Sequence, residues 1–390
     1  MKPEITFFPV GNGDMTLIKL ESERTILIDT NIRVPSDKIR DVAEDLRKSL
    51  KTDNKGRPYV DVMVLSHPDQ DHCRGFEEHF HTGPLENYSD KANPKKIVIR
   101  EMWSSPLVFR RAKKKTHTLS DDAKAWNCEA KRRVALFRQV GTIGSDGDRI
   151  VIMGEDCDGK TDDIMEIVVK AGETVFKICG SIEPNFSALL LAPMKGTDDE
   201  EEEVLTKNNS SIIMNYSIGA GTNPTAVRYI DAGDAEVAIW EKLWDRHEKN
   251  VSALQYNLLN TPHHCSWHSL SWDSWSAKKV EAKVSDRARK ALGQALPGAV
   301  IVASSDEIKD DDNDPPCYRA KQEYEEIVAE VKGEFWNTGA YQTPDKQEPL
   351  KFEVSVGGMK RVKFAVAAAA ALSANSGLGA TPLYHGGEAS

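Results

Sequence analysis

No stretch of this 390-residue chain reaches the roughly 18 consecutive apolar residues that a membrane-spanning helix needs, and its opening MKPEITFF lacks the apolar core of a secretory signal. A soluble, cytoplasmic protein with no membrane partner is expected. Cysteine is scarce. The six residues Cys73, Cys128, Cys157, Cys179, Cys265 and Cys317 include no C-x-x-C pair, which argues against a disulfide framework and against a structural zinc knuckle. Positive charge is in deficit: 51 Lys and Arg face 61 Asp and Glu, and the formal net charge of -10 argues against a wide nucleic-acid footprint. Apolar residues, at 39%, are ordinary for a globular protein, so a sizeable core can form.

What the chain does have is a dense group of metal-competent side chains. Val62, Met63, Val64 and Leu65 read as a short buried strand that runs into Ser66-His67-Pro68-Asp69-Gln70-Asp71-His72. Pro68 disfavours helix just before it, so the chain leaves the sheet extended, and His67 and Asp69 point the same way. Asp71 and His72 fall where a helix over 73–80 is expected to begin. One loop can thus offer a pair of ligands to each of two cations. The alternative is a solvated polar turn with an aspartate capping the helix. Cys73 and Cys265 adjoin ligand candidates, either as thiols touching a metal or as small residues packed beside it.

The loop resembles the H-x-H-x-D-H motif of the metallo-β-lactamase fold, with Asp69 in place of the second His. SHPDQDH is similar to the H-P-D-x-D-H loop in the hydrolase domain of ComEC-type DNA-uptake proteins and their free-standing soluble relatives. FFPVGNGDMTLI (7–18) resembles that family's V-G-x-G-D segment, and TILIDTN (25–31) its strand ending in I-D-T-G. Then ALLLAPMKG (188–196), NNSSIIMNYSIG (208–219), VRYIDAGDAEVAIWEKL (227–243) and LLNTPHHCSWHS (258–269) follow its L-x-P, N-x-x-S, G-D and P-H-H-G-S blocks in order. Cys265 stands where the family usually has glycine. Near Asn313 the family's N-x-Y-x-H-P segment lacks its histidine.

The resemblance implies an α/β fold, the metallo-β-lactamase αββα sandwich with inserted loops and a short C-terminal extension. A hydrolase domain would occupy residues 1–360, with a basic helical insertion at 107–165, and an Ala/Gly-rich tail would occupy 361–390. It also implies two divalent metal ions. Asp71, His72 and His263 would hold one; His67, Asp69 and Asn209 or its neighbour would hold the other; Asp234 would bridge them. His263 is preferred to His264 because related proteins place the ligand three residues before a Ser or Thr, here Ser266. Asp71 and His264 are the catalytic candidates, His264 either orienting substrate or protonating a leaving group, or standing behind the ligands. Asp29, ending a buried strand, and Asp14, in its Gly-rich turn, are expected to support the ligand loop through hydrogen bonds. Such a site lowers the pKa of water and clamps phosphoryl oxygens. Exchanging imidazole for the Asp69 carboxylate points to a hard cation, manganese first and zinc as the alternative.

Hydrophobic periodicity predicts strands at 5–9, 15–20, 25–29, 62–65, 97–100, 149–153, 163–170, 173–179, 188–191, 211–216, 227–231 and 299–303, and helices at 37–50, 124–139, 235–247 and 319–332. Strand groups alternating with helices suggest two sheets covered by helices. The acidic runs 198–203 and 306–314 read as solvated loops, and the alanine run after 362 as a short helix with a floppy tail.

Charge is unevenly spread. Arg110, Arg111, Lys113, Lys114, Lys115, Lys124, Lys131, Arg132, Arg133 and Arg138 crowd one segment with Phe109, Trp126 and Phe137 among them. That mixture suits tracking a phosphate backbone and stacking bases, with Arg110, Arg111 and Lys113, Lys114 and Lys115 as the substrate-binding candidates; its plainer reading is a solvated helical face. The first expectation is therefore a metal-dependent nuclease acting on DNA. A hydrolase of a small phosphodiester or nucleotide signal is the alternative, and a catalytically weak partner of a sensor ATPase a third. Soluble relatives of this kind lie among bacterial defence genes, which implies an antiviral effector in a multi-protein complex.

Overall fold

Short apolar strands whose successive residues face different cores build most of the molecule. Ile26 and Ile28 enter one core while Leu27 enters another, and Val62 and Val64 part from Met63 in the same way. The same alternation separates Leu258 from Leu259, and Val300 and Val302 from Ile301. Strands buried on both faces read as continuous apolar runs. The computed structural model describes residues 1–114, 117–196, 205, 208–342 and 347–363. Lys115, the acidic run 198–203 and the chain beyond 363 lie outside the described residues, as does the side chain of Lys114.

Two large sheets result. The first runs in the order Gly358–Arg361, Leu350–Ser355, Glu4–Phe7, Thr16–Lys19, Thr25–Ile28, Pro58–Val64, Val98–Ser104, Arg149–Met153 and Val168–Val169, with Lys51–Thr52 pairing Pro58–Val64 at the side. It is antiparallel up to Thr25–Ile28 and parallel beyond, with Ile26 opposite Val62 and Val64 opposite Trp103. The second runs Thr174–Val175, Phe186–Ala192, Ile213–Ala220, Asn223–Asp231, Tyr256–Asn260, Ala295–Ala303 and Glu334–Asn337, and its last four strands are parallel.

One core unites Phe7, Ile28, Val64 and Trp103 of the first sheet with Leu190, Tyr216, Tyr229 and Val302 of the second. Helices cover the outer faces. Trp240 and Leu243 of Val237–His247, and Tyr324 and Ile327 of Tyr318–Glu330, pack on the second sheet. Leu46 of Val42–Ser49, and Trp126 and Phe137 of Asp121–Val140, pack on the first. The architecture is mixed α/β, compatible with an α/β sandwich.

Local chemistry explains the helix limits. Asp41 caps Val42–Ser49 by accepting from the Glu44 amide at 2.9 Å, and Ser120 caps Asp121–Val140 through the Ala123 amide at 3.2 Å, each satisfying an orphan donor. Several expectations change. The helix anticipated over 73–80 breaks into Gln70–Cys73 and Phe76–His79 at Gly75, whose φ is +83°. Residues 163–170 form a 3₁₀ segment, Asp162–Ile167, before the two-residue strand Val168–Val169. The segment from 107 to 165 supplies a covering helix and the strand Arg149–Met153, paired parallel to Val98–Ser104.

Candidate metal centre

The polar side chains gather where parallel strands of both sheets end. Asp29 follows Thr25–Ile28, Ser66 and His67 follow Pro58–Val64, Asp234 follows Asn223–Asp231, and His263 and His264 follow Tyr256–Asn260. The crevice outside the carboxyl ends of parallel strands is where α/β sheets bind ligands.

Asp234 is the hub. Its Oδ1 lies 3.0 Å from His72 Nε2 and 3.4 Å from His264 Nε2; its Oδ2 lies 3.2 Å from His67 Nε2 and 3.6 Å from His263 Nε2. Each carboxylate oxygen thus faces its own pair of imidazoles. Asp71 joins the first group, 3.4 Å from His264 Nε2, and Asp69 the second, 3.6 Å from His67 Nε2. Apart from Asp69 and Asp71, which reach toward solvent, and His263, which is slightly exposed, these side chains are buried.

Hydrogen bonds on the far ring nitrogens fix which atoms face the centre. His72 Nδ1 is 2.7 Å from Asp29 Oδ2 and His264 Nδ1 is 3.1 Å from the Ser304 carbonyl, so both rings donate outward and turn Nε2 inward. His67 does the same through Ser66 Oγ at 3.1 Å from its Nδ1, and Ser66 donates its amide to Asp29 Oδ1 at 2.6 Å. Asp29 therefore orients the loop, as its place at a strand end suggests. Asp14 lies behind the rings, 3.8 Å from His72 Nδ1 and 3.9 Å from His264 Nδ1, and accepts from Asn260 Nδ2 at 3.1 Å. Burial raises the Asp14 carboxyl. Burial also pushes neighbouring Asp231 up to about 7, helped by the charges of Asp14 and Asp29. Ser66, Asn260, Asp231 and Ser304 belong to this support, yet no spacing in the sequence marks them.

Two expectations move, and for the cysteines the plainer reading holds. His264, and not His263, is the imidazole placed with Asp71, His72 and the first oxygen of Asp234; His263 sits on the His67 side. The cause is local backbone: His263, His264 and Cys265 hold φ of +52°, +52° and +69° in succession, a twist that Ser-based spacing does not anticipate. Ser266 binds Asp314 Oδ1 at 2.7 Å and accepts from the His268 amide, so it ties its own loop and touches no imidazole. The cysteines are packing residues: Cys73 Sγ lies 3.5 Å from Ser120 Oγ and burial lifts its thiol to about 12, while burial holds the Cys265 thiol well above its ordinary range. Asn209 is buried in the 3₁₀ turn Asn208–Ser210.

The donor set fits divalent cations. His67 Nε2 and Asp234 Oδ1 are buried without hydrogen-bond partners, and such groups are costly unless something satisfies them. His72 Nε2 and His264 Nε2 face each other at 3.1 Å. Two ligands at about 2.0–2.1 Å from one tetrahedral ion lie about 3.3 Å apart. Asp14, His72, Asp234 and His264 form one group able to hold an ion, and His67, Asp69 and Asp234 another; of the first, Asp14 meets the outward ring nitrogens and so supports instead of binding. Asp69 is not spent as a helix cap, since its side chain makes no cap bond to Gln70–Cys73. Burial alone raises Asp234, but the surrounding imidazoles hold it well below the usual carboxylate range. Burial and His72 depress His67, yet Asp234 and Asp69 carry it up to about 9. For Asp71, burial is outweighed by the His264 hydrogen bond and the His72 charge, which bring it down to about 2.

The basic segment is largely consumed internally. Arg111 is buried, donating to Ser210 Oγ and to the Met194 carbonyl at 3.0 Å each, so it is no substrate contact. Arg110 pairs with Asp156, Arg133 with Glu129, Arg132 with Glu129 and Asp148, and Arg138 with Asp163. Trp126 and Phe137 lie in the core and stack on nothing external. Lys113 is exposed.

No family model matches the chain, and no curated protein does. Among solved structures, unliganded yeast PDE1 is similar over 86% of this chain and 96% of that one, at 13% sequence identity and a TM-score of 0.38. A likeness that distant supports no functional argument. No described helix is long and apolar enough to cross a membrane.

Proposed function

We propose that this protein is a metal-dependent phosphodiester hydrolase of metallo-β-lactamase type, with the αββα layering and ComEC-like relationship suggested by its loop motifs. The observation that carries the reading is the Asp234 carboxylate, whose two oxygens face two separate imidazole groups. His72, His264, Asp71 and Asp234 would hold one cation, and His67, Asp69, His263 and the same Asp234 a second. Cations held there supply the Lewis acidity that makes water a nucleophile near neutral pH and neutralises charge on phosphoryl oxygens. Asp29 and Ser66 keep the ring tautomers that leave Nε2 free to bind. Asp69 and Asp71, at the open side, set where a substrate phosphate approaches.

A small phosphodiester is the better supported substrate, because the arginines expected to follow a DNA backbone are engaged by internal acids and carbonyls. DNA cleavage is the second reading, supported by the exposed lysines of the basic segment. The test is hydrolysis of bis(p-nitrophenyl) phosphate, cyclic nucleotides, and single-stranded, duplex and supercoiled DNA, each with manganese or zinc. Activity should require metal and be abolished in Asp71→Ala and His72→Ala alongside loss of bound metal. Full activity of either variant after chelation refutes the reading.

A further inference from the structure

A cavity of about 830 Å³ opens between the helices Pro106–Lys114 and Asp121–Val140, a volume suited to a small organic ligand. It starts at Ser104 and Ser105. Those residues continue Trp103, which pairs with Val64 two residues before Ser66. Neighbouring strands lie about 4.8 Å apart, so the cavity begins one strand over from the loop that carries His67. Its floor is apolar: Phe109, Val134 and Ile164 are buried or half-buried. Its rim is cationic. Arg110 is neutralised by Asp156, with Nε to Oδ1 at 2.6 Å, Arg138 by Asp163 and Lys160 by Asp158, which leaves the exposed Lys113 and Lys131, whose ammonium groups make no ion pair among the described residues. Arg111 pins the first helix to Ser210 and Met194, fixing one wall.

We infer that this cavity binds a nucleotide-sized organic phosphate, with its ring body against Phe109, Val134 and Ile164 and its phosphate between Lys113 and Lys131. An apolar floor with one aromatic side chain rewards a flat ring, and two unpaired lysines on one rim reward a phosphate as point charges. A bare inorganic anion would leave the floor unused, and a long nucleic acid would need the described arginines of the segment, which are internally paired. The inference is independent of the metal chemistry and is tested without it.

The experiment is calorimetric titration of the chelated full-length protein with the four common nucleoside monophosphates, adenosine, inorganic phosphate and a short single-stranded oligonucleotide. At least one monophosphate should bind saturably, with adenosine and phosphate each about tenfold weaker or more. The double variant Lys113→Ala, Lys131→Ala should raise the dissociation constant by about tenfold, and its exposed positions leave the fold intact. Val134→Phe, which fills the floor, should weaken the monophosphate while leaving inorganic phosphate unchanged. Failure of every monophosphate to bind, equal affinity for inorganic phosphate, unchanged affinity in the lysine variant, or tighter binding of the oligonucleotide would each overturn it.

Discussion

Removing the charge at the centre of the histidine cluster should weaken the pH dependence of stability in chelated protein. Asp234→Asn keeps the shape of the side chain but removes the anion facing four imidazoles. In the wild type, burial and His72 act against protonation of His67, and Asp234 and Asp69 more than reverse this, raising it from 6.5 to about 9. A rise of that size corresponds to about 3–4 kcal/mol for this wholly buried ring. The sign follows from the folded pKa lying above the unfolded one. The stabilisation is complete below pH 6.5 and is lost as pH rises through about 9. His72 and His264 are shifted in the same direction, so they add to the slope. Urea unfolding of chelated protein at several pH values between 6.5 and 9 reads it directly. The wild type should lose about 3 kcal/mol or more across that window, and Asp234→Asn should lose distinctly less, since of the raising charges only those of Asp69, Asp29, Asp71 and Asp14 remain. Metal should reverse the wild-type trend, because ligands bind cations only when deprotonated. An Asp234→Asn slope equal to that of the wild type would refute the assignment of Asp234 as the hub.

Gly13 has a φ of +159° and lies where an added Cβ would come within 2.1 Å of Asn31 Nδ2 and 2.7 Å of the Asp71 carbonyl; Gly13→Ala should cost about 1–3 kcal/mol and lower metal content measured by elemental analysis, and retention of both would refute the packing of this turn on the ligand loop. At Cys265, with φ +69°, the Gly variant should be more stable than the Ala variant by about 1–2 kcal/mol in thermal unfolding, and the opposite order would refute backbone strain there. Asp69→His should shift the preferred activating cation from manganese toward zinc in metal titrations of activity, and an unchanged profile at unchanged activity would mean that Asp69 does not meet a metal.

The two-sheet plan was legible because strands buried on both faces leave continuous apolar runs, as in Val62 to Leu65 and Ala299 to Ala303. Elements with weaker patterns were missed. Tyr256–Asn260 is short and runs directly into the histidine loop, so it reads as part of a motif and not as a strand. Leu350–Ser355 alternates apolar and polar residues but gains its place only by pairing with Glu4–Phe7, more than 340 positions away, as with Phe7 opposite Leu350. At the site, the loop from Ser66 to His72 could be singled out from residue type and spacing, and Asp234 from the family resemblance alone. Which of two adjacent histidines joins Asp71 and His72 could not. That choice is made by three consecutive left-handed residues and by the Ser304 carbonyl, and neither leaves a trace in spacing.

The basic segment shows the opposite failure, in which composition suggested more than geometry allows. A count of cations between Leu107 and Val140 treats each as available, but acids distant in sequence are brought to them: Asp156 to Arg110, Asp148 to Arg132 and Asp163 to Arg138. Arg133, fully buried beside Glu129, also donates to the carbonyls of Ile99 and Arg149 at 3.0 Å and 2.9 Å. Removing it would leave a buried acid unpaired, so its role is to hold a helix against a sheet. An arginine used this way cannot also meet a phosphate, because its donors are spent. Among the described residues of the segment, the charge left over at the cavity is that of the two rim lysines over an apolar floor, a remainder that suits a compact ligand with a single phosphate more than a polymer carrying one at every step.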